Sequence, residues 1–191
     1  QFLDYGLGLY ASQSTVDEEG RRILIAWLRM PEAVEQKETA PWRGMFCLPR
    51  VVEVRDGHIY FRVHPNVKKQ YSRPLTNGTE AGPEGYRISL LLEDGGCVDV
   101  GGYRICRRGN RICTDRTRVY CEGENYRMVF ETPDVREGNR LDIYVDEHMV
   151  EVYVNDGEYV ISNAVYGMSK ELQICGGSEV ELFGVIASVT E

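Results

Sequence analysis

The stretch LDIYVDEHMVEVYVNDGEYVIS, residues 141–162, alternates in chemical character with a period of two. Leu141, Ile143 and Val145 share one face of an extended chain, with Asp142, Tyr144 and Asp146 on the other. Val150, Val152 and Val154 then stand opposite Glu151, Tyr153 and Asn155, and Tyr159 and Ile161 opposite Glu158, Val160 and Ser162. A helix would scatter these residues around its circumference, whereas half-buried antiparallel strands sort them onto two faces. Asp156-Gly157 suits a two-residue hairpin loop, because both central positions of that loop need positive φ, and Asp56-Gly57 repeats the signal.

The acids in this stretch decide whether the chain carries hydrolytic chemistry. A retaining glycosidase needs two carboxyl groups about 5–5.5 Å apart, one of them with a raised pKa. Nothing in the alternation signals the burial that would raise one. The pattern therefore assigns Asp156 to a turn, places Glu158 beside it and points Glu151 to solvent. No catalytic residue is assigned.

The chain has 191 residues, enough for one large all-β domain or two small ones. A net charge of −8 argues against nucleic acid and anionic membrane surfaces as partners, since both require basic patches. The arginines of RICRRGNRIC flank a Gly109-Asn110 loop and read as a solvated hairpin tip. No apolar run is long enough to span a bilayer and no signal peptide opens the chain. Gln1 is an unusual first residue and Phe2-Leu3-Asp4-Tyr5 reads as mid-fold, so upstream sequence is expected to be missing. The expected location is the cytoplasm, or outside the cell if that segment carries a signal. Six cysteines form no Cys-x-x-Cys pair and stand far from His58, His64 and His148, so neither a metal site nor a cofactor is expected. The Gly109-Asn110 loop sets Cys106 opposite Cys113, which permits a disulfide without demanding one. Free thiols in a reduced cytoplasm are the preferred expectation.

Along the chain, strands are expected at residues 8–14, 22–29, 45–55 and 58–64, forming a four-stranded meander. A polar loop is expected over 31–40. Residues 66–84, rich in proline and glycine, read as a connector with one helical turn at 66–71. Strands resume at 86–92, 97–106, 111–114, 118–121, 126–132, the three of the opening stretch, 172–175 and 180–190. So many short strands with glycine turns indicate an all-β antiparallel sandwich. A lone four-stranded sheet cannot bury both faces, so the meander must pack on something.

LDYGLGLYASQS, GRRILIAWLRMP and WRGMFCLPRVVEVRDGHIYF together resemble the last propeller blade of glycoside hydrolase family 32, the invertases, sucrose-6-phosphate hydrolases, levanases and inulinases. The opening stretch resembles the closing hairpins of that family's C-terminal sandwich. The resemblance implies a propeller-blade-like β-meander over residues 1–65, a connector over 66–84, and a concanavalin A-like (galectin-like) antiparallel β-sandwich over 85–191. It implies a parent enzyme that is a retaining hydrolase of β-fructosides. The family's three acids lie in Trp-Met-Asn-Asp-Pro-Asn-Gly, Arg-Asp-Pro and Glu-Cys-Pro motifs, none of which occurs here. Tyr10, Ala11 and Gln13 match a family segment Asp-Phe-Tyr-Ala-x-Gln whose Asp and Phe are replaced here by Gly8 and Leu9. Trp27 matches a tryptophan after the family's Ile-Gly, with Ala26 in place of the glycine. In a complete propeller Tyr10 and Trp27 become candidate sugar contacts; in isolation they pack the sheet. Trp42, Gly44, Leu48, Pro49 and Arg50 match Trp-x-Gly…Leu-Pro-Arg, which implies blade closure and positioning of the sandwich.

Three readings follow. The chain is an inert C-terminal part of a β-fructofuranosidase whose partners are the missing propeller blades. Alternatively it is a lectin-like fructan-binding module taking a fructoside ligand, with Tyr103, Tyr120, Tyr126, Tyr144 and Tyr153 as candidate aromatics. Compatible with the first, it is scaffold alone, with an apolar sheet face that favours a homo-oligomer.

Overall fold

The structure is a computed structural model that describes residues 1–36, 39–77, 85–121, 123 and 126–186. The alternating stretch forms three successive antiparallel strands, β13 (Arg140–Val145), β14 (Met149–Val154) and β15 (Tyr159–Ala164). They belong to a large sheet ordered β12-β11-β10-β9-β13-β14-β15, in which β12 is Val129–Glu131, β11 Arg111–Asp115, β10 Tyr103–Arg108 and β9 Tyr86–Val100. β16 (Leu172–Val185) pairs with the free edge of β9, and the short β8 (Tyr71–Pro74) pairs with β16.

β9 and β16 are the hinge of the sandwich. The first half of β9 pairs with β13 and the second half with β10, while β16 follows it along the opposite edge with register shifts at Cys175–Gly177 and Ser178–Glu181. A bent two-stranded ribbon is thereby shared by both layers. Ile88, Leu90, Val98, Ile105, Leu141 and Ile161 from the two layers meet in one core with no exposure at all. Removing such side chains from water, about 25 cal/mol per Å² of apolar area, is what holds the layers face to face.

The first sixty-odd residues form the smaller sheet, β1 (Leu9–Val16), β2 (Arg22–Leu28), β6 (Arg50–Arg55) and β7 (His58–Val63), with β5 (Met45–Phe46) also on β2. The expected strand over 45–55 is thus two strands. The break falls at Cys47-Leu48-Pro49, where Pro49 has no N–H for a ladder. Arg55 and His58 pair directly across Asp56-Gly57, both at positive φ, as the dipeptide predicted.

The larger departures have local causes. The expected loop over 31–40 contains a small ribbon of β3 (Val34–Gln36) and β4 (Thr39–Trp42). The connector holds a short helix, α1 (Pro65–Gln70), started by His64, whose ring accepts from the Asn66 N–H, and it adds β8 to the sheet. The strand expected over 97–106 is a hairpin turning at Gly101-Gly102, and 118–121 is instead a 3-10 turn at Thr117–Val119. β16 continues through what reads as two strands, and the expected extension to residue 190 lies outside the described residues.

The hairpin at Asp156-Gly157 also differs. Val154 pairs with Tyr159, so four residues turn the chain, with Asn155, Asp156 and Gly157 all at positive φ. The tip is docked: the Phe61 N–H donates to the Gly157 carbonyl at 2.9 Å, and a Cβ on Gly157 would lie 2.4 Å from the Phe61 oxygen.

Candidate functional site: an aromatic row and a buried arginine joint

Tyr10, Trp27 and Phe46 sit directly opposite one another on β1, β2 and β5. Directly opposed residues share a sheet face, so the three rings form a row across three strands. Tyr10 and Trp27 meet edge to face with centroids 6.3 Å apart, and the Arg29 guanidinium lies 5.3 Å from the Tyr10 ring. Tyr10 is 57% exposed and Phe46 70%. Two backbone features aim the row. A bulge between Tyr10 and Gln13, with Ala11 at φ +50°, re-aims β1 at this point. Gly44, at φ +91°, lies so close under the Trp27 indole that a Cβ would be 1.9 Å from its Nε1. Only glycine meets both demands. Exposed ring faces of this kind stack on the C–H faces of sugars.

The opposite face of the sheet packs on the sandwich. Phe61 joins Tyr144, Tyr153 and Val160 in one cluster, and Leu28 and Met30 join Met149 and Ala164 in another. Both faces of β13–β15 are therefore buried, one by the sandwich core and one by the small sheet.

This corrects the solvent assignment. Glu151 is completely buried, and Glu158 and Asp142 are nearly so. Glu151 accepts four hydrogen bonds: from Arg50 Nη2 (2.8 Å) and Ser162 Oγ (2.8 Å) on one oxygen, and from the Leu48 N–H (3.1 Å) and Tyr153 hydroxyl (2.9 Å) on the other. Arg50 also donates from Nη2 to Asp4 Oδ2 (2.9 Å) and Ser162 Oγ (2.7 Å), and from Nε to the Tyr153 hydroxyl (3.2 Å). The second Asp4 oxygen accepts from the N–H groups of Gly6 and Ser162. Arg50 belongs to the small sheet, Glu151, Tyr153 and Ser162 to the sandwich, and Asp4 to the segment before β1. One guanidinium thus ties three parts of the chain together. The break in the strand at Leu48-Pro49 frees the N–H that Glu151 takes.

Asp4 and Glu151 are two desolvated acids bound to a single nitrogen, the closest approach to a catalytic pair among the described residues. The cation between them already occupies the space that a substrate oxygen would need. Burial holds the Asp4 carboxyl above its usual range despite Arg50 and Ser162, which pull the other way. Burial works against the Arg50 charge but is outweighed by Tyr153, Glu151 and Asp4, so the guanidinium stays protonated. Losing a member of this cluster would cost several kcal/mol; here both carboxylates are bonded through Arg50 Nη2 and the Tyr153 hydroxyl accepts from Nε, while Nη1 is buried without a partner, and the cluster acts as a joint.

A hollow of about 450 Å³ lies where β7, α1 and β8 meet the sandwich, lined by Lys68, Lys69, Tyr71, Arg87 and Tyr144 among others. Its carboxylates are both held by arginine, Asp142 by Arg87 at 2.6 Å and Asp156 by Arg62 at 2.8 Å. Of the tyrosines proposed for a lectin site, Tyr103, Tyr144 and Tyr153 are buried, and Tyr103 donates to Asn163 inside the sandwich. Tyr120 is half-buried, and Tyr126 packs edge-on against it.

The signal for the joint was present in residues 141–162, which carry six acids and neither lysine nor arginine. A solvated strand face ordinarily mixes both signs, so an acids-only face calls for a cation from elsewhere in the chain.

These features define a class: an all-β chain in which a small sheet, exposing an aromatic row on one side, is joined through a buried arginine to an antiparallel sandwich. Residues 1–65 match the model of the glycosyl hydrolases family 32 N-terminal domain and residues 85–184 that of the glycosyl hydrolases family 32 C terminal, so the chain belongs to glycoside hydrolase family 32. It is 34% identical over 191 residues to a raffinose invertase of Escherichia coli, covering 90% of this chain and 40% of that one. It is 26% identical to a sucrose-6-phosphate hydrolase of Vibrio alginolyticus, covering 85% of this chain and 36% of that one. The structure of sucrose-6-phosphate hydrolase from Lactobacillus gasseri superposes with a TM-score of 0.76 at 18% identity, over 96% of this chain and 42% of that one. The chain therefore spans about two fifths of the length of these relatives.

Proposed function

We propose that this chain is the closing blade and buttressing sandwich of a β-fructofuranosidase, and that it is catalytically inert alone. Earlier propeller blades are its partners: they pack against the exposed side of the small sheet and carry the nucleophile and the acid/base. In that assembly Tyr10 and Trp27 form part of the wall against which a fructosyl ring stacks, while the Arg50 joint fixes the angle between blade and sandwich. The observation that carries this reading is the aromatic row standing exposed on a sheet whose other face is locked to the sandwich by Arg50. A retaining mechanism needs two separate free carboxyls, whereas Asp4, Glu151 and Asp142 are bound to arginine and Glu158 is held by Asn155 and the Arg136 N–H.

The test is release of fructose from sucrose, sucrose 6-phosphate, inulin and levan by the purified chain. No turnover above a heat-killed control is expected; reproducible turnover would refute the proposal. Calorimetric titration with levan separates the lectin-like alternative, which requires heat at millimolar ligand where the present reading expects none.

A further inference from the structure

Four cysteines on four neighbouring strands stand in one straight row. Cys175 on β16 is opposite Cys97 on β9, Cys97 is opposite Cys106 on β10, and Cys106 is opposite Cys113 on β11. Directly opposed residues point to the same side of a sheet, so all four sulfurs share one face. That face is outward, since Val98 and Ile105, the chain neighbours of Cys97 and Cys106, fill the core. The row holds a disulfide between its two middle members, Cys97 and Cys106, whose Cα atoms are 4.2 Å apart. This corrects the expectation of free thiols for Cys106 and confirms its register against Cys113.

Ladder geometry sets the outer spacings. A separation near 4.5 Å marks a pair without mutual backbone hydrogen bonds, and a strand alternates such pairs between its two edges. The flanking pairs Cys97–Cys175 and Cys106–Cys113 are then of the hydrogen-bonded kind, about 5.5 Å apart, the spacing most native disulfides adopt. The Cα spacing of every neighbouring pair falls in the range of native disulfides, the flanking pairs bridging once their Cβ atoms draw together by about 1 Å, and each inner cysteine has two partners.

The ends of the row differ. Cys175 is an exposed free thiol, and Cys113 is buried with its sulfur 3.9 Å from the Glu131 carboxylate. Cys97 and Cys175 both open into a surface hollow of about 390 Å³ lined also by Asp99, Arg104, Arg118 and Gln173. Arg118 is paired with Asp99, whereas Arg104 has no carboxylate partner among the described residues and lies with Nη2 3.9 Å from the Cys97 sulfur.

We propose that this row is a thiol–disulfide exchange site, entered at Cys175, whose external partner is a small carboxylate-bearing thiol or its disulfide. In the first step the Cys175 thiolate attacks the Cys97 sulfur. The Cys97–Cys106 bond breaks and its electron pair leaves on Cys106, which takes up a proton from solvent equal to the one Cys175 gave up. One disulfide and two thiols stand before and after. With oxidised glutathione as oxidant, the freed Cys106 returns that proton to solvent and its thiolate attacks one glutathione sulfur, expelling the other as a thiolate that takes up the proton. Cys113 then attacks the Cys106 sulfur, its proton passing to Glu131, and expels the second glutathione thiolate. Two protein thiols are oxidised and one glutathione disulfide is reduced to two thiols. The product carries Cys97–Cys175 and Cys106–Cys113 bridges, stapling β16 to β9 and β10 to β11. Arg104 supplies the cation for a glutathione carboxylate. Attack at Cys113 comes last because burial pushes its thiol up.

Non-reducing peptide mapping tests this on the full chain, because trypsin cuts after Arg104, Arg107, Arg111 and Lys170 and places the four cysteines in separate peptides. Before treatment the Cys97–Cys106 pair is expected; after oxidised glutathione, Cys97–Cys175 and Cys106–Cys113. Cys175→Ser, at an exposed position, is expected to leave the Cys97–Cys106 pair in place under the same treatment. Arg104→Gln removes one tryptic site and is therefore followed by the rate of thiol release; it is expected to slow exchange with oxidised glutathione about twofold to fivefold, the range of a screened surface ion pair, and to leave exchange with uncharged hydroxyethyl disulfide unchanged. Equal rates for wild type and Arg104→Gln with both reagents would overturn the carboxylate recognition. A wild-type map unchanged by oxidised glutathione, sulfurs only capped singly, or cross-links reaching Cys47 or Cys121 would overturn the site itself.

Discussion

Arg50 is completely buried, yet its charge is matched by two carboxylates and supported by the Tyr153 and Ser162 hydroxyls of the sandwich. Replacing a buried ion network by apolar groups is often neutral, but removing one member leaves the others charged and dry. Arg50→Met is therefore expected to cost about 3–5 kcal/mol, read as a fall in the urea midpoint; a loss below about 1 kcal/mol would mean that Asp4 and Glu151 find other partners. Asp4 sets a pH dependence. Its folded pKa is raised above the usual 3.8 by burial, so the folded state holds the proton more tightly than the unfolded one. The stability it contributes is full below that value and is lost as pH rises through the higher folded pKa. The stability of wild type relative to Asp4→Asn should accordingly shrink as pH rises above the usual carboxylate value, followed by urea titration; a difference that is flat or grows with pH contradicts the assignment. The cluster was half legible. Leu48-Pro49-Arg50 marked a joint, while Glu151 read as solvated because alternation reports which residues share a face and not what covers that face.

Among the elements, those fixed by local chemistry were readable and those fixed by tertiary contacts were not. Asp56-Gly57 makes its two-residue loop with open space around Gly57. Asp156-Gly157 has the same letters but docks on Phe61, and its Asp156 pairs with Arg62, so the loop takes a wider path. β9 and β16 run through positions that read as turns because each serves both layers, a demand no local window contains. A matched pair of substitutions checks the distinction. Gly57→Ala meets open space and pays only for its positive φ, about 1–2 kcal/mol. Gly157→Ala meets the Phe61 carbonyl as well and should lose at least about 1 kcal/mol more, with faster hydrogen exchange at the Phe61 amide; equal losses at the two sites would show that the tip is not docked.

At the scale of the whole molecule the two sides of the small sheet are treated unequally. One side is closed by the sandwich; on the other Tyr10 and Phe46 are each more than half exposed, and β1 is exposed along nearly its whole length. An eight-residue edge strand beside a row of bare rings is a surface made to be covered. In the proposed enzyme the earlier blades cover it, and in the chain alone a second copy is the available substitute. Light scattering over a concentration series, with a hydrophobic dye in a parallel titration, measures this directly. The account predicts dye binding and concentration-dependent association, both diminished by Phe46→Ser at an exposed position, whereas a strictly monomeric chain that binds no dye would contradict it.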